Sequence, residues 1–167
     1  VYKRQITMYM VGLIDDIYDL RPYLKLAGQI VAALIVTFYG ITIDFISLPI
    51  GPTIHFGIFS IPITVIWIVA ITNAINLIDG LDGLASGVSA LALMTIGFIA
   101  ILQANIFIIM ICCVLLGSLL GFLFYNFHPA KIFLGDSGAL MIGFIIGFLS
   151  LLGFKNITFI ALFLSLI

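Results

Sequence analysis

Apolar residues in this chain fall into long uninterrupted stretches separated by short polar ones, and their alternation dictates an architecture. After a short apolar piece at 6–14 comes the polar stretch Asp15-Asp16-Ile17-Tyr18-Asp19-Leu20-Arg21-Pro22, whose proline disfavours a continuous helix through it. Apolar stretches follow at about 26–43, 62–78, 84–102, 106–125 and 139–153. Most approach the ~20 residues that an α-helix needs to cross a ~30 Å hydrocarbon core. The piece at 6–14 makes only roughly 14 Å of helix and reads as a truncated span. Pro62 is well placed at a helix start. Residues 44–60, rich in β-branched, Gly and Pro residues, read as an extramembrane loop with room for a short hairpin. Gln103, Ala104 and Asn105 alone join two spans, which must be antiparallel neighbours. The pattern predicts an all-α fold, a polytopic transmembrane helical bundle with broken helix ends. A closed β-barrel would need alternating segments of about ten residues instead.

Span parity is the central inference. Two spans separate the first Asp-containing segment from the second, 73–85, and two more separate the second from the third, 126–138, so all three return to one membrane face. Arg21, Lys25 and Lys131 accompany these segments, whereas Lys155 lies on the other side, which makes the motif face cytoplasmic.

Composition agrees with the bilayer reading: 64% of residues are hydrophobic and 8% charged, against about 25% charged in soluble domains. The net charge of -1 says nothing about nucleic acid or an acidic partner, but the chain has no basic cluster of the kind that binding a nucleic-acid backbone requires, so no nucleic-acid partner is expected. Cys112 and Cys113 are adjacent in an apolar run and have neither metal-site spacing nor a disulfide framework. Both chain ends look cut, so residues 1–167 read as a single membrane domain that is an internal fragment of a longer polytopic enzyme.

All seven acidic residues are Asp, and six of them (Asp15, Asp16, Asp19, Asp79, Asp82 and Asp136) fall in the three same-side segments. Loops between spans are polar in any membrane protein, which accounts for an isolated charge such as Asp44. It accounts poorly for a set with no Glu, because ionisable residues at span ends are costly and mark sites. Short carboxylates converging from several helix ends suit Mg²⁺, which takes oxygen ligands and binds through one or two carboxylates plus substrate phosphates. Magnesium in turn implies phosphoryl chemistry, in which the protein positions groups and neutralises charge. Neither His55 nor His128 has a nucleophile partner in a recognisable spacing. Asn73, Asn76, Asp79 and Asp82 recur every three residues, a spacing that drifts about 60° per step on an α-helix but stays aligned in 3₁₀ geometry. Gly80 and Gly83 would permit such a break. Phe133, three residues before Asp136, could stack on a base, although a lone aromatic is more often packing.

The strings GLIDDIYDLRPYLKLAGQ, NAINLIDGLDGLASG and YNFHPAKIFLGDSG, in this order and separated by these spans, resemble the polyprenyl-phosphate N-acetylhexosamine-1-phosphate transferase family of glycosyltransferase 4 enzymes. The wording of the third string looks most like the bacterial branch that uses UDP-N-acetylglucosamine. The resemblance implies transfer of GlcNAc-1-phosphate from UDP-GlcNAc to undecaprenyl phosphate, releasing UMP, as the first membrane step of a cell-wall glycan. It implies Mg²⁺, with Mn²⁺ as a substitute, held by Asn76 and Asp136 beside Asp15 and Asp16. One of that Asp pair would bind or deprotonate the lipid phosphate, and Lys25 would clamp the diphosphate. Asp82 and Phe133 would face uridine, Asp79 would organise the nucleotide site, and Asn73 completes the substrate-binding set. Direct attack by the lipid phosphate is favoured over a covalent carboxylate intermediate. The implied setting is the bacterial cytoplasmic membrane, multi-pass, with the bilayer and a homodimer as further partners.

The family's first cytoplasmic loop and its later His-rich loop are absent here, and Ala139 stands where Ser is common, so these residues alone should be inactive. Three alternatives stand beside this reading. One is the phospho-MurNAc-pentapeptide branch. Another is an intramembrane prenyltransferase, because Asp15-Asp16-Ile17-Tyr18-Asp19 is an Asp-Asp-x-x-Asp string. The third is an ion-coupled transporter with broken helices.

Overall fold

The computed structural model describes residues 9, 10, 12, 13, 15, 21–46 and 54–153. Five α-helices dominate it: α1 Pro22–Phe38, α2 Ser60–Ile78, α3 Leu84–Leu102, α4 Ile106–Asn126 and α5 Gly135–Gly153. Between α1 and α2 lie two short antiparallel strands, β1 Phe45–Ile46 and β2 Ile54–His55, and a 3₁₀ turn at Gly57–Phe59. The residues of the 6–14 piece that are described, Tyr9, Met10, Gly12 and Leu13, have helical backbone, as does Asp15. Among the described residues four segments are long and apolar enough to cross a membrane: Gly57–Ile78, Leu84–Leu102, Ile106–Asn126 and Gly135–Gly153. The protein is a multi-pass membrane protein of all-α architecture, and the hairpin sits where the loop at 44–60 was expected.

Several boundaries differ from the sequence expectation. α1 begins at Pro22 rather than near residue 26, because proline is tolerated in the first turn, where its missing N–H has no partner to lose. It ends at Phe38 rather than near 43, in a turn closed by the Gly40 N–H donating to the Thr37 carbonyl. α5 begins at Gly135, so Asp136 occupies the first helical turn and not a loop. The proposed 3₁₀ alignment of residues 73–82 is not present. α2 stays α-helical to Ile78, Asp79 caps it, and a turn leads to Gly83, whose φ of 73° starts α3.

α5 is the centre of the bundle, packed chiefly on α2 and also on α3. Leu140, Phe144 and Leu149 are fully or almost fully buried there. α4 packs on α3 and leaves Val114, Phe124 and Met110 exposed, as expected for a face turned to lipid. The α2–α5 contact follows the small-xxx-small logic of membrane helices, with Ala139, Gly143 and Gly147 spaced by four along α5. A Cβ at Gly143 would stand 2.8 Å from the Thr72 Cα and 3.0 Å from the Thr72 carbonyl oxygen, whereas at Gly147 its nearest neighbour would be the Ile68 Cα at 3.5 Å. Gly143→Ala is therefore expected to force the helices apart and cost about 1–3 kcal/mol. Thermal unfolding in detergent should show this loss, while Gly147→Ala stays close to the unmodified protein.

Most polar groups inside the bundle are paired, as an apolar solvent demands; among the described residues Ser89 Oγ is the buried side-chain atom without a partner. Thr64 Oγ1 donates to the Ser60 carbonyl and Thr72 Oγ1 to the Ile68 carbonyl, both at 2.7 Å. Trp67 Nε1 donates to Ser150 Oγ at 3.0 Å, and Ser150 Oγ donates to the Gly147 carbonyl. Cys112 is buried and Cys113 exposed, both as free thiols.

Candidate active site

The antiparallel run of helices brings the N-terminus of α1, the C-terminus of α2, the N-terminus of α3, the C-terminus of α4 and the N-terminus of α5 to one end of the bundle. Span parity required this, and the contacts at that end realise it. Lys25, in the first turn of α1, places its Nζ 2.8 Å from Asp136 Oδ1 and 2.8 Å from Asp15 Oδ2. Asn76, in the last turn of α2, donates its Nδ2–H to the same Asp136 Oδ1. One ammonium and one carboxamide thus join all three Asp-containing segments around a single carboxylate. Gly135, with φ 69°, turns the chain into α5 and sets Asp136 on that helix's first turn, where the helix dipole favours a negative charge. Gly12 backs this arrangement: a Cβ there would collide with the Ser137 Cα, so the first segment touches the start of α5 backbone to backbone.

Beside this ion-paired group opens a cleft of about 410 Å³ lined by Asn76, Leu77, Asp79, Gly80, Phe133, Gly135 and Asp136. Phe133 is 74% exposed at its rim. Burial, reinforced by the negative charge of Asp136, pushes the Asp79 carboxyl up to about 6. Two carboxylates therefore share one cleft at an electrostatic cost. A divalent cation would relieve that cost, and the donors facing the cleft are hard oxygens, Asp136 and Asp79 carboxylates with the Asn76 carboxamide. Among the described residues no group of three or more His, Cys, Asp or Glu converges. That set is compatible with Mg²⁺, which relies on one or two carboxylates and completes its shell with water and phosphate.

Asp82 lies outside the cleft lining and ties the second segment to the third. Its Oδ2 accepts the Ala130 backbone N–H at 3.1 Å and faces His128 Nδ1 at 3.0 Å. The Ala130 amide first, and His128 second, hold the Asp82 carboxyl below the ordinary value of 3.8. A lowered folded-state value means that this tie contributes above the ordinary carboxylate value and is lost as pH falls through the lowered one. Asp82→Ala is expected to speed hydrogen exchange at the Ala130 amide by at least about tenfold at neutral pH, since that N–H loses its carboxylate acceptor.

Of the other residues singled out from sequence, Asn73 sits one turn below Asn76 and pairs with Gln29. Asp16 lies outside the described residues, as do Asp19 and Lys155. His55 is exposed on β2 at the opposite end, its ring 5.7 Å from that of Phe45.

Sequence reasoning missed three neutral residues. Gln29 is 1% exposed, and its amide meets Asn73 across α1 and α2. Asn126, the last residue of α4, is buried; its Oδ1 accepts from Ser86 Oγ at 2.7 Å and from the Gly83 N–H at 3.1 Å. Its Nδ2 donates to the Ile132 carbonyl at 2.9 Å, so one side chain braces the turn before α3 against the loop that carries Phe133. Ser86 completes that brace. The available signals were Gln29's four-residue offset from Lys25, which puts both on one helix face, and the position of Asn126 and Ser86 within the motif strings.

Comparison with known proteins bears on the same residues. The glycosyl transferase family 4 profile matches residues 3–154. The chain is 45% identical over 160 residues to the probable undecaprenyl-phosphate N-acetylglucosaminyl 1-phosphate transferase of Bacillus subtilis (strain 168), covering 95% of this chain and 45% of that protein. It is 38% identical over 152 residues to the phospho-N-acetylmuramoyl-pentapeptide-transferase of Streptococcus thermophilus (strain CNRZ 1066), covering 85% and 45%. With the enzyme of that name from Campylobacter jejuni (strain RM1221) the figures are 33% over 177 residues, 88% and 50%. The chain spans about half the length of the curated relatives it matches. The motif strings, the helical bundle and the profile match together place the chain in glycosyl transferase family 4.

Proposed function

We propose that the full-length protein transfers GlcNAc-1-phosphate from UDP-GlcNAc to undecaprenyl phosphate on the cytoplasmic face of a bacterial membrane. The observation that carries this reading is the Lys25–Asp136–Asn76 junction, which gathers three sequence segments into one charged group beside an open cleft. The Bacillus subtilis relative, named for this transfer, supports the choice of sugar and lipid.

In the proposed reaction an oxygen of the lipid phosphate attacks the phosphorus bonded to the sugar. The bond from that phosphorus to the bridging oxygen breaks, and UMP leaves with the bridging oxygen. Asp15, or Asp16 beside it in sequence, accepts a proton from the lipid phosphate or orients it. Lys25, held between Asp15 and Asp136, offers a cation to the diphosphate. Asp136 and Asn76 would hold Mg²⁺, with Asp79 at the same cleft, and the ion would supply neutralisation of phosphate charge and polarisation of the scissile group. Phe133 at the rim and the Asp82-anchored loop bound the space for uridine, whose face an exposed aromatic ring can stack.

The phosphosugar reading accounts for this arrangement better than its rivals. Transporters place ion sites near the bilayer midplane, whereas the charged residues here stand in the end turns of the helices. Similarity to the pentapeptide transferases keeps UDP-MurNAc-pentapeptide as the second donor to try. The experiment incubates full-length protein with undecaprenyl phosphate, Mg²⁺ and each donor in turn, and measures UMP. Release with UDP-GlcNAc is expected. UMP from the pentapeptide donor alone would move the protein to the other branch, and diphosphate from an isoprenyl diphosphate would make it a prenyltransferase.

A further inference from the structure

One helical turn deeper in the bundle than the charged junction lies a second polar layer. Gln29 Nε2 donates to Asn73 Oδ1 at 3.2 Å, and Asn73 Nδ2 donates back to Gln29 Oε1 at 2.6 Å. Asn73 Nδ2 also donates to the Val69 carbonyl at 2.8 Å. A carboxamide nitrogen has two N–H groups, so both of Asn73's donors are spent inside the protein, and its oxygen already accepts from Gln29. Asn73 is also absent from the lining of the cleft, which begins at Asn76. Gln29 follows Lys25 by four residues on α1, and Asn73 precedes Asn76 by three on α2, so each amide stands directly beneath a member of the junction.

We infer that the Gln29–Asn73 amide pair is a positioning device for the charged site, and that Asn73 does not touch substrate. The inference rests on the proposed transfer only for its kinetic readout. Two reciprocal hydrogen bonds between α1 and α2 specify one axial register, because a shift of either helix by a single residue, about 1.5 Å, would break both. That register decides whether the Lys25 ammonium and the Asn76 carboxamide both reach Asp136 Oδ1. In an apolar surrounding the alternative to pairing is an unsatisfied amide, so the pair discriminates sharply between registers. Gly143 adds a constraint of its own by holding α5 against Thr72, the neighbour of Asn73.

The test uses the full-length protein with five variants: Gln29→Leu, Asn73→Leu, the exchange Gln29→Asn/Asn73→Gln, which keeps an amide pair across the same gap, and Lys25→Gln with and without Gln29→Leu. Each single Leu variant is expected to lower kcat for UMP release about 10- to 100-fold with KM for UDP-GlcNAc changed less than twofold. The exchange should recover most of the loss, and Gln29→Leu should add less than twofold once Lys25→Gln is present. A rise in KM for UDP-GlcNAc on Asn73→Leu with kcat retained would make Asn73 a substrate ligand and overturn the inference. Full additivity with Lys25→Gln would overturn it as well. A second arm needs no turnover: spin labels at the exposed positions Leu24 and Leu77, in a cysteine-free background, report the distance between the ends of α1 and α2. The distribution should be narrow in the unmodified protein, broaden on Gln29→Leu and narrow again in the exchange. An unchanged distribution in Gln29→Leu sinks the positioning role, whatever becomes of the transferase reading.

Discussion

Asp136→Asn in the full-length protein is expected to slow UMP release by about 10²–10³-fold, the usual scale for losing one electrostatic element of a site. Asp136 Oδ1 is the acceptor shared by Lys25 and Asn76. An amide at this position loses the charge that attracts the ammonium, and it can present an N–H to the Asn76 donor in place of an oxygen. If Asp136 also holds Mg²⁺, then chelation by EDTA should produce a loss of similar size in the unmodified protein, and EDTA should add little to the Asp136→Asn variant. Asp44→Asn, at the opposite end where Asp44 accepts from Thr42, is the control and should leave the rate unchanged. Equal UMP release with and without metal in both proteins would remove the proposed metal centre.

Lys25→Ala carries the second large effect. Its ammonium bridges two carboxylates that come from segments 121 residues apart, Asp15 and Asp136. Removing it leaves two like charges converging at a helix end with no lysine between them, and the groups around Asp136 must rearrange. A shift of about 1 Å at a reacting centre can cost on the order of 10²-fold, which sets the expected fall in kcat. Lys25→Arg keeps the charge but replaces one compact donor with a planar fork, so it should recover only about a tenth of the lost rate. Steady-state UMP release measures both, with thermal unfolding alongside to show that the bundle persists. Wild-type turnover in Lys25→Ala would take the ammonium out of the mechanism.

The path from sequence to this site ran through long-range features that sequence expresses strongly. Apolar stretches near membrane length made the span count legible, and parity then required Lys25, Asn76 and Asp136 to share one end. Boundaries were harder because the same residues carry two meanings. Pro22 breaks a helix that runs into it but opens one that starts there, and the sequence offered no local sign of which applied. Gly135 and Ser137 read as loop residues, yet a positive φ at Gly135 delivers the chain into α5 with Asp136 already helical. The three-residue recurrence from Asn73 to Asp82 suggested a tightened helix, when in fact two of its members are helical and two lie in the turn that follows. Neutral hubs escaped notice for a different reason. A search guided by charge does not see Gln29 or Asn126, whose importance comes from being buried with every polar atom placed.

α4 has a bearing on the site that goes beyond the residues it contributes. Its 21 residues make about 31 Å of helix, close to the thickness of a hydrocarbon core. Little of its length is buried in the protein, so its tilt answers largely to lipid. Asn126 at its end grips both the turn before α3 and the loop bearing Phe133. A thinner or thicker bilayer that re-tilts α4 thus pulls on the rim of the cleft, while α5, enclosed by its neighbours, keeps Asp136 in place. Membrane thickness would then be one of the dimensions of the candidate site.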